Sequence, residues 1–98
     1  MAGYSDMDIK HIEKGEEGYF KAMDGENTAG ELSYTSSNGD RIIINHTEVK
    51  PQYRGQDVGK NMVLKAVEYA RENELKIVPA CSFAKAMFER SAELRDVL

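Results

Sequence analysis

The sequence predicts an α+β fold of the α/β three-layer type, with a mixed sheet and about two helices. The first half alternates apolar and polar residues in short runs between turn signals, which is typical of an antiparallel meander. The hydrophobic period then changes to 3.6 residues, which indicates an amphipathic helix. A short apolar run follows, so we expect one parallel strand–helix–strand pair with a right-handed crossover.

Three strand segments and two turns predict the meander. Met7, Ile9 and His11 alternate with polar neighbours, and the runs GYFKAM and TAGELSYT supply the next two strands. The turn signals are DGEN at Asp24–Asn27 and SSNGD at Ser36–Asp40, whose Asn-Gly pair suits positive φ angles.

The segment RIIINHTEV, Arg41–Val49, is predicted to be a strand with both faces covered, because three isoleucines follow one another. Strict alternation would put four residues on one face: Ile42, Ile44, His46 and Glu48. The other face would carry Ile43, Asn45, Thr47 and Val49. The strand becomes polar toward its C-terminal end, which points at a loop that contains glycine.

The crossover helix is predicted from Val58 to about Arg71. Its apolar face consists of Met62, Val63, Ala66, Val67 and Ala70. The run LKIVPA is the second parallel strand, and its proline limits how far the ladder continues.

A second helix is predicted for the segment CSFAKAMFER, with Ser82 as N-cap and with Phe83 and Met87 facing inward. The tail to Leu98 is expected to form a turn or a short helix.

Composition limits the classes of function. The 98 residues are expected to form one domain, 1–98. A net charge of −4 argues against a broad nucleic-acid surface, although a local patch could still bind a small anion. No apolar run is long enough to span a membrane, and the N-terminal residues lack the apolar stretch of a signal peptide.

The few cysteine and histidine residues argue against a disulfide and against a metal site. The lone Cys81 cannot form an internal disulfide, and His11 and His46 lack the spacing of metal ligands. We therefore expect no metal and a cytoplasmic location. We also expect a monomer or a weak homodimer.

The loop RGQDVGK, Arg54–Lys60, is the candidate anion site. A helix N-terminus leaves backbone N–H groups unpaired and carries the positive end of the helix dipole. Gly55 would let the backbone turn and approach a phosphate, and Gly59 would leave space at the first helical turn. The alternative is a tight loop in which Asp57 serves only as an N-cap.

The run VKPQYRGQDVGKNMVLKAVEYARENELKIVP resembles the acyl-CoA-binding core of the GNAT N-acetyltransferase superfamily. The pyrophosphate loop of that superfamily reads Q/R-G-x-G-x-G/A, and Asp57 stands where it favours glycine. The loop aligns with this pattern over Arg54, Gly55, Gln56, Asp57, Val58 and Gly59, and every one of them except Asp57 fits it. The flanking runs NHTEV and VPACSFAKAMFER resemble the small, single-domain YjdJ-type branch, and the likeness covers residues 41–90 well.

The resemblance implies that the chain binds acetyl-CoA or coenzyme A. The two parallel strands would splay apart at His46–Val49 and Val78–Cys81, and the backbone of Val49 would serve the pantetheine arm and the acyl group. The diphosphate would lie on the loop, where Lys60 would bind it together with the motif residues 54–59. Lys85 is a further phosphate candidate, and Phe83 and Cys81 would lie beside the ligand; solvated lysines and a core phenylalanine are the alternatives.

The implied activity is transfer of an acetyl group to a primary amine, whose free pKa of about 10.4 makes a base useful. Glu48 is the candidate base and His46 a second catalytic candidate; a solvated carboxylate and a packed histidine are the alternatives. The helix that follows lacks the tyrosine acid usual in the superfamily. Direct attack and an acyl relay through Cys81 therefore both stay open, beside a merely buried thiol.

Two functions stay open at this stage: an acetyltransferase, and a non-catalytic module or sensor that binds CoA or acetyl-CoA. A purely structural α+β domain is a third interpretation. The sequence begins directly at the predicted strands, so we expect an acceptor groove open to a bulky amine such as a protein lysine. We also expect Asp57 to point away from the ligand and to weaken CoA binding.

Overall fold

The computed structural model describes residues 7–98, which form one mixed sheet, two α-helices and two short 3-10 helices. The strands are β1 (Asp8–Lys14), β2 (Glu17–Asp24), β3 (Asn27–Ser37), β4 (Arg41–Val49) and β5 (Lys76–Pro79). The α-helices are α1 (Val58–Glu72) and α2 (Ser82–Arg90), and the 3-10 helices are Pro51–Tyr53 and Ala92–Val97. Residues 1–6, part of the segment analysed for a signal peptide, lie outside the described residues.

The five strands lie in the order β1-β2-β3-β4-β5. Neighbours from β1 to β4 are antiparallel, and β4 and β5 are parallel. The predicted meander, parallel pair and crossover helix are therefore confirmed. The Asn-Gly turn is confirmed as well, since Asn38 and Gly39 have φ angles of 59° and 74°. None of the helices in residues 7–98 is long and apolar enough to cross a membrane.

The core lies on one face of the sheet, under α1. A Cβ atom at Gly30 would touch Val58 and Met62 of α1, so this face of β3 carries the helix. Residues directly opposite one another in a ladder share a face. By that rule, the buried residues of the five strands lie on this inner face, apart from Ala29 at a bulge: Gly18, Phe20, Ala22, Gly30, Leu32, Tyr34, Ile42, Ile44 and Ile77.

The outer face of β4 is less covered than the sequence predicts. Ile42 and Ile44 are fully buried against the core, whereas Ile43 between them is only half-buried. Its parallel neighbour Val78 is 40% exposed. The prediction that both faces of β4 are covered is therefore confirmed for the inner face, whereas the outer face is only partly covered.

A β-bulge in β4 changes which side chains face the core. Tyr34 pairs with Ile44, but Ser33 pairs with His46, so Asn45 is an extra residue between them. An extra residue shifts every later side chain to the opposite face. The prediction that His46 shares a face with Ile44 is therefore wrong.

The end of β4 follows from this shift. Thr47 and Val49 lie on the inner face, opposite Leu32 and Gly30. His46 and Glu48 still share one face, but it is the outer face of the sheet.

An aromatic cluster closes the core between β1 and α1. The His11 ring stacks on Phe20 with centroids 4.3 Å apart, and Tyr69 meets it edge-on at 4.5 Å. His11 Nε2 and the Tyr34 hydroxyl share a hydrogen bond. Burial lowers the pKa of His11, against an opposing effect of Glu13, and burial raises the pKa of Tyr34.

We predict that Gly18→Ala destabilises the fold. A Cβ atom at this position would lie 2.2 Å from Cζ of Tyr34, whose ring is buried and held by His11. Such overpacking costs roughly 1–3 kcal/mol of unfolding free energy, measurable by urea denaturation. Glu17→Ala, at the exposed neighbouring position, is the control. An unchanged denaturation midpoint for Gly18→Ala would contradict this packing.

We also predict a loss of stability in mild acid that depends on His11. Because the folded state lowers the pKa of His11, the unfolded chain takes up this proton first as the pH falls. The contribution is fully present above the ordinary imidazole value of 6.5 and declines as the pH drops from there toward the folded-state pKa. In His11→Phe this part of the decline should disappear between pH 7.5 and about 5.5. Equal declines in both proteins would refute the assignment.

Candidate active site

The parallel pair opens after four residues, and this opening creates the site. The ladder joins Arg41–Ile44 to Lys76–Pro79, whereas β4 continues to Val49 beside β3 only. The carbonyl of Ile44 accepts hydrogen bonds from the N–H groups of Ala80 and Cys81, at 3.0 and 3.1 Å. The chain then turns into α2, so the backbone of β4 beyond Ile44 has a free edge toward the gap.

Cys81 lies at this opening and begins α2. It is the N-cap residue, and its Sγ accepts a bond from the N–H of Ala84 at 3.4 Å. The prediction that Ser82 is the N-cap is therefore wrong. The thiol is half-buried and lies 3.3 Å from the Thr47 hydroxyl, which the bulge turns to the inner face.

The loop between β4 and α1 presents backbone rather than a side-chain cap. Gly55 has a φ of 83°, and Asp57 has a φ of 61° and a ψ of 26° in the left-handed region. Asp57 is the N-cap residue, yet its side chain makes no capping bond. The first-turn N–H groups of α1 thus gain no acceptor from it, and the alternative of Asp57 as a side-chain cap is wrong.

Two contacts fix the loop on the β2–β3 turn. The Tyr53 hydroxyl donates to Asp24 Oδ2 at 2.8 Å, and this bond raises the pKa of Tyr53. The N–H of Lys50 donates to the carbonyl of Ala29 at 2.9 Å. The position of the loop therefore depends on a turn far from it in sequence.

A cleft of about 910 Å³ joins the opened strand to the loop and to α2. Ten of the residues named from the sequence line it: His46, Glu48, Val49, Arg54, Gly55, Asp57, Val58, Gly59, Lys60 and Phe83. Six further residues line it too: Thr47, Pro51, Tyr53, Met87, Arg90 and Ser91.

Three of the named residues do not line the cleft. Cys81 lies behind Thr47, and Gln56 turns its amide toward the carbonyl of Gln52 at 3.5 Å. Lys85 lines a separate hollow of about 510 Å³ beside β5. Arg90, about two turns after the start of α2, lines the cleft. Lys85 and Arg90 are both cations of α2, and in the sequence only their positions around the helix axis distinguish them.

Charge in the cleft opposes the charge of the whole chain. Arg54, Lys60 and Arg90 line it, together with the carboxylates of Glu48 and Asp57. His46 Nε2 lies 3.8 Å from Glu48 Oε1, and the two side chains are 67% and 73% exposed. His46 is therefore not a packed sheet histidine, and Glu48 is a solvated carboxylate beside it.

Phe83 lies over the first turn of α1 instead of in the core. Its side chain is 39% exposed, so the prediction that it faces inward is wrong, while Met87 and Phe88 are buried. A Cβ atom on Gly59 would lie 2.8 Å from Cζ of this ring. The absence of a side chain at Gly59 thus lets Phe83 form a wall of the cleft beside the helix N-terminus.

The lining matches the chemistry of a long phosphorylated thiol. Unpaired N–H groups at the α1 N-terminus and two cations of the loop fit a diphosphate. The free edge of β4, with Val49, Phe83 and Met87, fits an amide-containing, partly apolar arm. Within residues 7–98, no group of three or more His, Cys, Asp or Glu residues could hold a metal ion.

Comparison with known proteins identifies relatives of this arrangement. Residues 18–97 match the family model of GCN5-related N-acetyl-transferase. A GCN5-like candidate N-acetyltransferase from Staphylococcus aureus is 37% identical, with a TM-score of 0.69, and the match covers 99% of this chain and 89% of that one. A search of curated proteins finds no match.

Two larger enzymes share the fold alone. The ribosomal-protein-alanine N-acetyltransferase of Brucella melitensis biovar Abortus 2308 is 17% identical, with a TM-score of 0.65. AAC(6')-Iy, solved with the bisubstrate analogue CoA-S-monomethyl-acetylneamine, is 13% identical, with a TM-score of 0.58. Each match covers 79% of this chain, and 62% and 61% of those chains respectively.

We predict that Asp57→Gly and Asp57→Asn both strengthen CoA binding by about 2- to 5-fold in calorimetry at low salt. Either change removes a carboxylate that lines the cleft at the candidate anion-binding loop, and both residues tolerate the left-handed backbone. Asn is the matched control because it keeps the side-chain size. A gain with Gly alone would assign the effect to the backbone, and no gain with either would contradict the repulsion.

Proposed function

The chain belongs to the GCN5-related N-acetyltransferase family, and we propose on this basis that it transfers an acetyl group from acetyl-CoA to a primary amine. The cleft carries the proposal, because it joins the free edge of β4 to the N-terminus of α1 in one space. The S. aureus relative, matched over nearly the whole chain, supports the same class of activity.

The loop and the strand edge would hold the donor. First-turn N–H groups of α1, with Arg54 and Lys60, would bind the diphosphate. The backbone of β4 near Val49 would pair with the pantetheine arm, and Phe83 would exclude water from one side. Bound acetyl-CoA would supply the acetyl group as a thioester.

Glu48 is the proposed general base. An amine with a pKa of about 10.4 is mostly protonated at neutral pH and must lose a proton before it attacks. Glu48 lines the cleft, is open to solvent and lies beside His46, so either residue can pass that proton to water. The exposure of both side chains also leaves room for an acceptor larger than a metabolite, and a protein amine is one proposed class.

Direct transfer fits the geometry better than a relay through Cys81. The thiol accepts the N–H of Ala84 and contacts Thr47, and it is not among the residues that line the cleft. A relay would require the thiol to leave this capping position. Cys81 is therefore proposed first as a positioning residue that fixes the start of α2.

A CoA-binding module without turnover is the second candidate function. One observation favours it: α2 presents Phe83, Met87 and Arg90 to the cleft, and none of these carries the phenol that would protonate a leaving thiolate. The YjdJ-type branch, the single domain over 1–98 and the cytoplasmic location all stay predictions.

A paired measurement separates the two functions. Calorimetry and intact mass with CoA and acetyl-CoA report binding and covalent attachment, and acetyl-CoA consumption is then followed with polyamines, aminoglycosides and lysine peptides. Binding with turnover of any amine supports the enzyme. Binding without turnover supports the module, and absence of binding contradicts both.

We predict that Glu48→Gln lowers kcat by about 100-fold while CoA affinity stays unchanged, because a general base contributes at least that much. His46→Gln should lower kcat less. Cys81→Ser, whose hydroxyl can still cap α2, should keep most activity if transfer is direct. Full activity of Glu48→Gln would remove Glu48 from the mechanism, and complete loss in Cys81→Ser with CoA binding intact would restore the relay.

A further inference from the structure

The outer face of the sheet is uncovered in the described part of the chain. On this face, none of the β1–β4 residues that have a partner in the ladder is buried. The opposite face carries α1. An antiparallel sheet often leaves one face in water, so exposure alone does not indicate a partner. The charges on this face indicate which partner fits.

Four charged residues form one straight row across the outer face. Lys10 of β1 pairs with Lys21 of β2, Lys21 pairs with Glu31 of β3, and Glu31 pairs with Glu48 of β4. The row therefore reads plus, plus, minus, minus from one side of the sheet to the other. Like charges directly opposite each other are unfavourable, and within residues 7–98 no salt bridge joins two of these four side chains.

We propose that this face binds a second copy of the chain, face to face, about a twofold axis parallel to the strands between β2 and β3. Such a rotation reverses the strand order, so β1 of one copy lies over β4 of the other. Lys10 then faces Glu48 of the second copy, and Lys21 faces its Glu31. An interface of this kind is isologous, and each contact occurs twice.

The same row disfavours a twofold axis that is perpendicular to the strands and passes through it. Such an axis would place Lys10 over Lys10 and Glu48 over Glu48, and like-charge juxtaposition opposes association. The next row also suits the first arrangement. It consists of Ile12, Tyr19, Ser33 and His46, so Tyr19 would pack on Ser33 and Ile12 on His46 of the second copy.

The size of the face sets the strength of the dimer. A third row consists of Lys14, Glu17, Thr35 and Ile43. Four strands at about 4.8 Å and three rows at about 7 Å cover roughly 400 Å² per copy, against about 800 Å² in a standard interface. The association is therefore weak and electrostatic, with a dissociation constant above about 10 µM that rises with salt. Because Glu48 also lines the cleft, the second copy would restrict access to that end of the site.

Charge reversal tests the arrangement in the whole protein. Sedimentation velocity should show the wild type associating at about 20 mM salt and dissociating at about 500 mM. Lys10→Glu with Lys21→Glu makes the row uniformly negative and should abolish self-association, as should Glu31→Lys with Glu48→Lys by making it uniformly positive. The two doubly substituted proteins should associate when mixed, and the protein with all four changes should self-associate again.

The controls keep the test decisive. Lys65→Glu with Glu68→Lys reverses an exposed pair on α1 and should leave association unchanged. Circular dichroism checks folding, and Lys21→Gln with Glu31→Gln replaces any reversal variant that fails to fold; it should weaken association at least 10-fold. A wild type that stays monomeric at about 1 mM and low salt overturns the proposal. So does self-association of the uniformly charged variants, because another surface would then be in use.

Discussion

The functional architecture depends on where β5 leaves β4. The Ile44 carbonyl accepts hydrogen bonds from the N–H groups of Ala80 and Cys81, which directly follow β5, and the chain then enters α2 with Cys81 as its cap. Had the ladder continued, the last five residues of β4 would be paired on both sides and would offer nothing to a ligand. Its early end leaves a strand edge that opens toward the N-terminus of α1, and it supplies backbone groups where a long, flexible ligand can pair.

Two local irregularities give this opening its chemistry. The bulge at Asn45 turns Thr47 toward Cys81 and places His46 with Glu48 in solvent, so a single inserted residue decides which of these side chains pack inside and which are exposed. The left-handed Asp57 starts α1 without a side-chain cap, which leaves the first amides free for an anion. The Tyr53–Asp24 bond then holds that loop against the β2–β3 turn.

The sequence predicts the regular parts of this structure well because its signals are local. Turn residues, the three isoleucines and the 3.6-residue period of α1 give the strand order and the crossover, and the glycine loop is identified from its resemblance to a known motif. The sequence does not predict the bulge, because it depends on the register of β3 against β4, which no local pattern encodes. Cys81 rather than Ser82 caps α2, and Phe83 lies on Gly59, because the path of the chain out of β5 decides both.

We infer that the opened strand and the loop together bind coenzyme A. The most direct measurement is titration of the ¹⁵N-labelled protein with CoA, followed through the amide resonances of individual residues. Saturable shifts should be concentrated at Val49, Gly55, Val58, Gly59 and Lys60, with the β1–β2 turn unaffected. Saturable binding whose shifts lie elsewhere, or no shifts at millimolar CoA, would contradict it.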